Sequence, residues 1–80
     1  MVERMILFGL VRSGVSDKDN KPYYVIEYMT ADTGKTHNDL ISKDTYDSIE
    51  SQNIPPATTV IANMEVFESN YARITSLTVN

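Results

Sequence analysis

Residues 4–30 read RMILFGLVRSGVSDKDNKPYYVIEYMT, and how this stretch divides decides the fold. Residues 4–12 form a short apolar run between two arginines. Their β-branched and aromatic content favours a strand over a helix. Gly9 interrupts the run, and inside a strand it marks a bulge or a sharp bend of the kind barrel corners require. Residues 13–22 hold two turn-forming clusters, SG and DKDNKP, and are expected to be a loop. Pro22 has no N–H to give to a ladder, so the next strand begins at or after it. Residues 23–30 then alternate. Tyr23, Val25, Glu27 and Met29 share one face, and Tyr24, Ile26, Tyr28 and Thr30 share the other.

Downstream, ADTG at residues 31–34 is a turn signal centred on Asp32 to Gly34. A short strand over about residues 35–41 completes a hairpin. SKDTYDSIESQN, residues 42–53, offers Ser42 or Asp44 as an N-cap, with Tyr46 and Ile49 at helical spacing. It predicts a short helix of two to three turns with Asp44, Asp47 and Glu50 facing water, ended by Asn53, Pro55 and Pro56. Two further strand-like runs, residues 58–68 and 71–79, meet at Ser69-Asn70 as a second hairpin. The order is three strands, a helix and two strands. The expected class is mainly all-β: a single domain over residues 1–80, a five-stranded OB-like antiparallel barrel with one short helix between the third and fourth strands. An SH3-like barrel or an open antiparallel sheet with one helix would give nearly the same string.

The chain has 80 residues, no cysteine, a single histidine and a net charge of −4. A disulfide framework and a thiolate metal site are excluded, and His37 alone disfavours zinc. The longest apolar run, Met5 to Val11, is far too short to span a bilayer, and no small-residue cleavage site follows it. The expectation is a protein of the cytoplasm with no membrane association. Apolar residues are 41% of the sequence, a thin supply for a core, so dimerisation is an expected source of further burial.

No enzymatic constellation emerges. Gly34-Lys35-Thr36 resembles the end of a phosphate-binding loop, but Met29 stands where that loop needs its first glycine. Ser13 and Ser16 have no local histidine, and the spacing of Asp44 and Asp47 is that of a solvated helix surface. No cofactor is implied. The tyrosines carry more. Because Tyr23 lies opposite Tyr24 and Tyr28, both sets cannot fill one interior. At least one ring is expected at the surface or in a dimer contact, and an exposed ring on a barrel strand is a stacking platform for unpaired bases.

RSGVS, a short loop, and KPY entering a strand are similar to the single-stranded-DNA-binding, helix-destabilising proteins of filamentous phages. The similarity is close from Arg12 to Glu27, with one extra loop residue, and Asp32 and Gly34 resemble a turn in that family's DNA-binding wing. It implies a small OB-like barrel, a homodimer that coats single strands in a bacterial host cell. By position it implies that Arg12 meets phosphate, Lys21 flanks the DNA path, Tyr23 lies at the binding surface and Val25 touches bases. The chain also departs from the family. Asp17 or Lys18 replaces a second loop arginine, a wing tyrosine is replaced by His37 or lost, and Ser76 and Thr78 replace two arginines.

The charges are unevenly distributed. Of seven basic residues only Arg73 lies after residue 43, whereas five of eleven acids do. Arg12, Lys18, Lys21 and Lys35, gathered on one side, would make a locally positive face on an acidic molecule. The expected interface is Arg12, Lys18, Lys21, Tyr23, Val25, Tyr28, Lys35 and His37, with Tyr24 an alternative to Tyr28 for stacking. The expected ligand is single-stranded DNA without strong sequence preference, with RNA an open alternative, in a protein of a phage or mobile element. The competing expectation is an OB-like or SH3-like protein-interaction module without nucleic-acid binding. In either case the acidic half is available to a basic protein partner.

Overall fold

The computed structural model describes residues 2–67 and 71–79. Five strands and one helix follow in the order β1 (Val2–Val15), β2 (Pro22–Thr30), β3 (Thr36–Ile41), α1 (Lys43–Gln52), β4 (Thr58–Phe67) and β5 (Tyr71–Val79). All pairings are antiparallel, and the strands lie in one sheet in the order β3-β2-β1-β4-β5. The architecture is mainly β and OB-like, with the helix between β3 and β4. β3 and β5 approach one another, but they share no ladder, so the barrel is open on that side. The turn expected at Ser69-Asn70 lies outside the described residues. No helix among the described residues is long and apolar enough to cross a membrane.

β1 is the hinge of the sheet. Its first part pairs with β4, from Val2↔Met64 to Phe8↔Thr58, and its second part pairs with β2, from Ile6↔Thr30 to Val15↔Pro22. The register slips between Phe8 and Leu10, so Gly9 is the extra residue of a bulge. A Cβ at Gly9 would stand 2.7 Å from the main-chain oxygen of Glu27, so the close crossing of β1 and β2 here requires glycine. β1 also runs further than residues 4–12. Ser13, Gly14 and Val15 pair with Tyr24, Tyr23 and Pro22, and the loop shrinks to residues 16–21. Turn-forming residue types lost here to cross-strand pairing.

The helix packs on the core against β1, β2 and β5. Ser42 is its N-cap and accepts a hydrogen bond from the Thr45 N–H at 3.1 Å; Asn53 ends it in the left-handed region at φ 51°. Asp44, Asp47 and Glu50 face water, while Thr45 and Ile49 are buried. Thr45 Oγ1 donates to the Thr75 carbonyl at 3.3 Å, and Gln52 Nε2 donates to the Leu77 carbonyl at 3.4 Å. These two bonds satisfy carbonyls of edge strand β5 and fix the helix on it. Ile49 packs with Ile6, Phe8, Ile26, Val60 and Ile74 in the core.

Candidate binding face of the sheet

The bulge at Gly9 reverses the phase of β1. Ile6 and Phe8 point inward and are buried. Uninterrupted alternation would send Leu10 and Arg12 inward after them. With one extra residue, Val11 joins the core instead, while Leu10 and Arg12 turn to the outer face. There they meet the outward set of β2. Leu10 pairs with Glu27, Arg12 with Val25, and Gly14 with Tyr23. β3 extends the rows with Leu40 beside Val25 and Asn38 beside Glu27.

Tyr23 and Gly14 are fitted to each other. A Cβ on Gly14 would lie 2.6 Å from Tyr23 Oη and 2.7 Å from its Cζ. The ring thus lies across the bare glycine backbone, with 38% of the residue exposed. Two residues along the same face, Arg12 Nη2 donates to Asn38 Oδ1 at 3.4 Å. The only ion pair among the described residues is Lys43–Asp47 on the helix, so the Arg12 charge is directed by a neutral amide and not cancelled by a carboxylate. Val25 lies between Arg12 and Leu40 and is 8% exposed, the floor of the face and not a projecting contact.

The other expected residues divide. Lys18 and Lys21 are exposed in the loop beyond Tyr23, at the same end of the sheet as Arg12. Lys35 is exposed in the β2–β3 turn, at the end of nine-residue β2 remote from the Lys18–Lys21 loop, about 26 Å along the strand from Pro22 and about 17 Å from Val25, the partner of Arg12, at about 3.3 Å per residue. It does not join the other three. Tyr28 and His37 do not belong to the face. They point inward, because β2 alternates and Tyr28 falls in phase with Ile26. Tyr28 is 4% exposed, its hydroxyl donates to Asp39 Oδ2 at 2.6 Å, and its ring stacks on His37 at 5.2 Å. Burial above all, then the hydrogen bond and the charge of Asp39, hold its phenol well above the ordinary range. Tyr24 is likewise turned inward, against the ring of Tyr46 at 5.0 Å.

The face is mixed in charge, not basic. Asp17 and Asp19 share the loop with Lys18 and Lys21, Asp19 Oδ1 accepts from the Lys21 main-chain N–H at 3.2 Å, and Glu27 lies on the face itself. The sequence reading missed the apolar character of the face. Leu10, Met29 and Leu40 are exposed there, Leu40 at 55%. Placing Leu10 required carrying the Gly9 bulge through as a phase change. On β4 and β5, Ser76 and Thr78 accept hydrogen bonds from Asn63 Nδ2 at 3.0 and 3.1 Å, a neutral polar cluster. No group of three or more His, Cys, Asp or Glu among the described residues is placed to hold a metal ion. No protein-family model, no curated protein and no solved structure matches this chain.

Proposed function

We propose that this chain binds single-stranded DNA on the outer face of β1 and β2, without strong preference for sequence. The observation that carries the reading is the Tyr23 ring lying across Gly14, half-exposed, with Arg12 on the same face and no carboxylate paired to it. A base stacks on Tyr23 above the Val25 floor, and Arg12, Lys21 and Lys18 meet successive phosphates. Lys35, Tyr28, Tyr24 and His37 take no part. The similarity of residues 12–27 to the phage helix-destabilising proteins supports the same assignment, and with it a homodimer from a phage or mobile element. The test is a titration with oligo-dT at low salt, followed by tyrosine fluorescence. Saturable quenching at micromolar protein is expected. Tyr23→Ala should cost about 1–3 kcal/mol of binding, with Tyr23→Phe close to wild type. Absence of saturable quenching removes the proposal.

A second reading follows from exposed Leu10, Met29 and Leu40 and from the mixed charge, since an apolar face suits a protein partner. Arg12→Glu combined with Lys21→Glu separates the two. Loss of oligo-dT binding supports the first reading. A protein partner retained by a variant whose parent never bound DNA supports the second.

A further inference from the structure

Antiparallel ladders alternate between residue pairs that exchange hydrogen bonds and pairs that do not. In the β1–β2 hairpin the Ser16 N–H donates to the Lys21 carbonyl at 2.9 Å, and the next pair, Val15 with Pro22, contains a residue without an N–H. Counting back, Gly14, Arg12 and Leu10 direct their backbone groups to β2. Val11, Ser13 and Val15 direct theirs the other way, to the side where β4 would continue. β4 does not continue there. Its ladder with β1 ends at Phe8↔Thr58, and the Ala57 N–H makes the last bond, to the Phe8 carbonyl at 2.7 Å. Upstream of it, Pro55 and Pro56 have no N–H to give, and Ala57 turns the chain through the left-handed region at φ 67°. The second half of β1 is therefore an open edge inside the sheet order. Beside it lies a cleft of about 360 Å³, walled by Val11, Ile49, Ile54 and Pro56 with exposed Glu50 among its lining residues.

We propose that this edge takes up an extended peptide as an added strand, pairing with Val11, Ser13 and Val15. One aliphatic side chain of the peptide enters the cleft, and a Lys or Arg meets Glu50. Only an extended main chain presents donors and acceptors at the two-residue repeat of the edge, about 6.7 Å. The net charge of −4, with Glu50 exposed at the cleft, favours a basic peptide over a second copy of this acidic chain. The edge lies in the plane of the sheet, so the inference is independent of what occupies its outer face.

The probe is an acetylated, fluorescein-labelled hexapeptide, Lys-Val-Thr-Val-Thr-Lys, titrated into the isotope-labelled chain. Amide shifts should concentrate at Val11, Ser13 and Val15 and along the cleft. Ser13→Pro removes one edge N–H while leaving every β2 bond in place, and should weaken binding by about tenfold or more, with Ser13→Ala close to wild type. Should Ser13→Pro fail to fold, Glu50→Lys decides: it should weaken the lysine peptide and strengthen the matching glutamate peptide. Shifts confined to β3, β5 or the outer face, affinity untouched by these changes, a peptide-independent dimer occupying the edge, or no binding at millimolar peptide would each overturn the proposal.

Discussion

Gly14 is read most simply as a flexible residue of a loop, yet it sits within β1 and serves Tyr23 by having no side chain. A methyl group there meets the far end of a ring that can tilt, not backbone. Gly14→Ala should therefore leave the thermal midpoint within a few degrees of wild type while lifting the ring from its bed. The expected result is oligo-dT affinity reduced toward that of Tyr23→Ala, checked by fluorescence titration beside a melting curve. Tyr28 makes the opposite case, a ring held for stability. Its phenol has an ordinary value of 10.0 and is raised in the folded protein by burial and by Asp39. A raised folded value stabilises fully below pH 10 and is lost as pH climbs from there toward the folded value. Urea midpoints should fall between pH 9 and pH 11 in wild type, and fall less in Tyr28→Phe, whose midpoint at pH 8 is lower because the bond to Asp39 is gone. Equal pH slopes in the two proteins would show that Tyr28 is not the titrating group.

At the scale of elements, Gly9 governs which side chains the β1–β2 hairpin shows to solvent. Because its missing Cβ points at the Glu27 carbonyl 2.7 Å away, Gly9→Ala must push two main chains apart. The cost should be about 1–3 kcal/mol, or a fall of roughly 4–8 °C in Tm for each kcal/mol in a domain of this size. Circular-dichroism melting checks it, and a Tm within a degree of wild type would mean the bulge is not held by this contact. Elements set by local chemistry were legible in the sequence. Ser42 and Asn53 bracket the helix because a cap is read from a few neighbouring residues. β4 and β5 were found nearly to the residue because both are rich in β-branched residues and neither contains glycine or proline. The length of β1 was not legible, since Ser13 and Gly14 carry turn propensity and only their partners across the ladder make them strand. The outward turn of Leu10 was not carried through either. It needs the bulge to be counted as a reversal of phase. Tyr28 was placed on the face as a ring able to stack and His37 through its likeness to a wing tyrosine, although β2's own alternation already set Tyr28 opposite Tyr23.

For the whole molecule, the proposed function requires an acidic protein to hold a polyanion. The structure brings Arg12, Lys18 and Lys21 to one end of the sheet and leaves Lys35 at the other. Three phosphate contacts on a single strand correspond to a slope of log K against log salt of about −2. Asp17, Asp19 and Glu27 stand among these cations and reduce the local potential further, so the observed slope should lie between about −1 and −2. On the proposed function, binding should then depend on salt less than it would for a strongly basic face, with stacking on Tyr23 and the apolar floor supplying a larger share. Oligo-dT titrations across a salt series measure the slope directly. Lys35→Ala should leave it unchanged, and Arg12→Ala should move it toward zero by about 0.7. A slope near −3, or one altered by Lys35→Ala, would mean that the strand runs the full length of β2 and that the binding face has been drawn too small. A slope of zero with affinity intact would instead assign the face to an apolar partner.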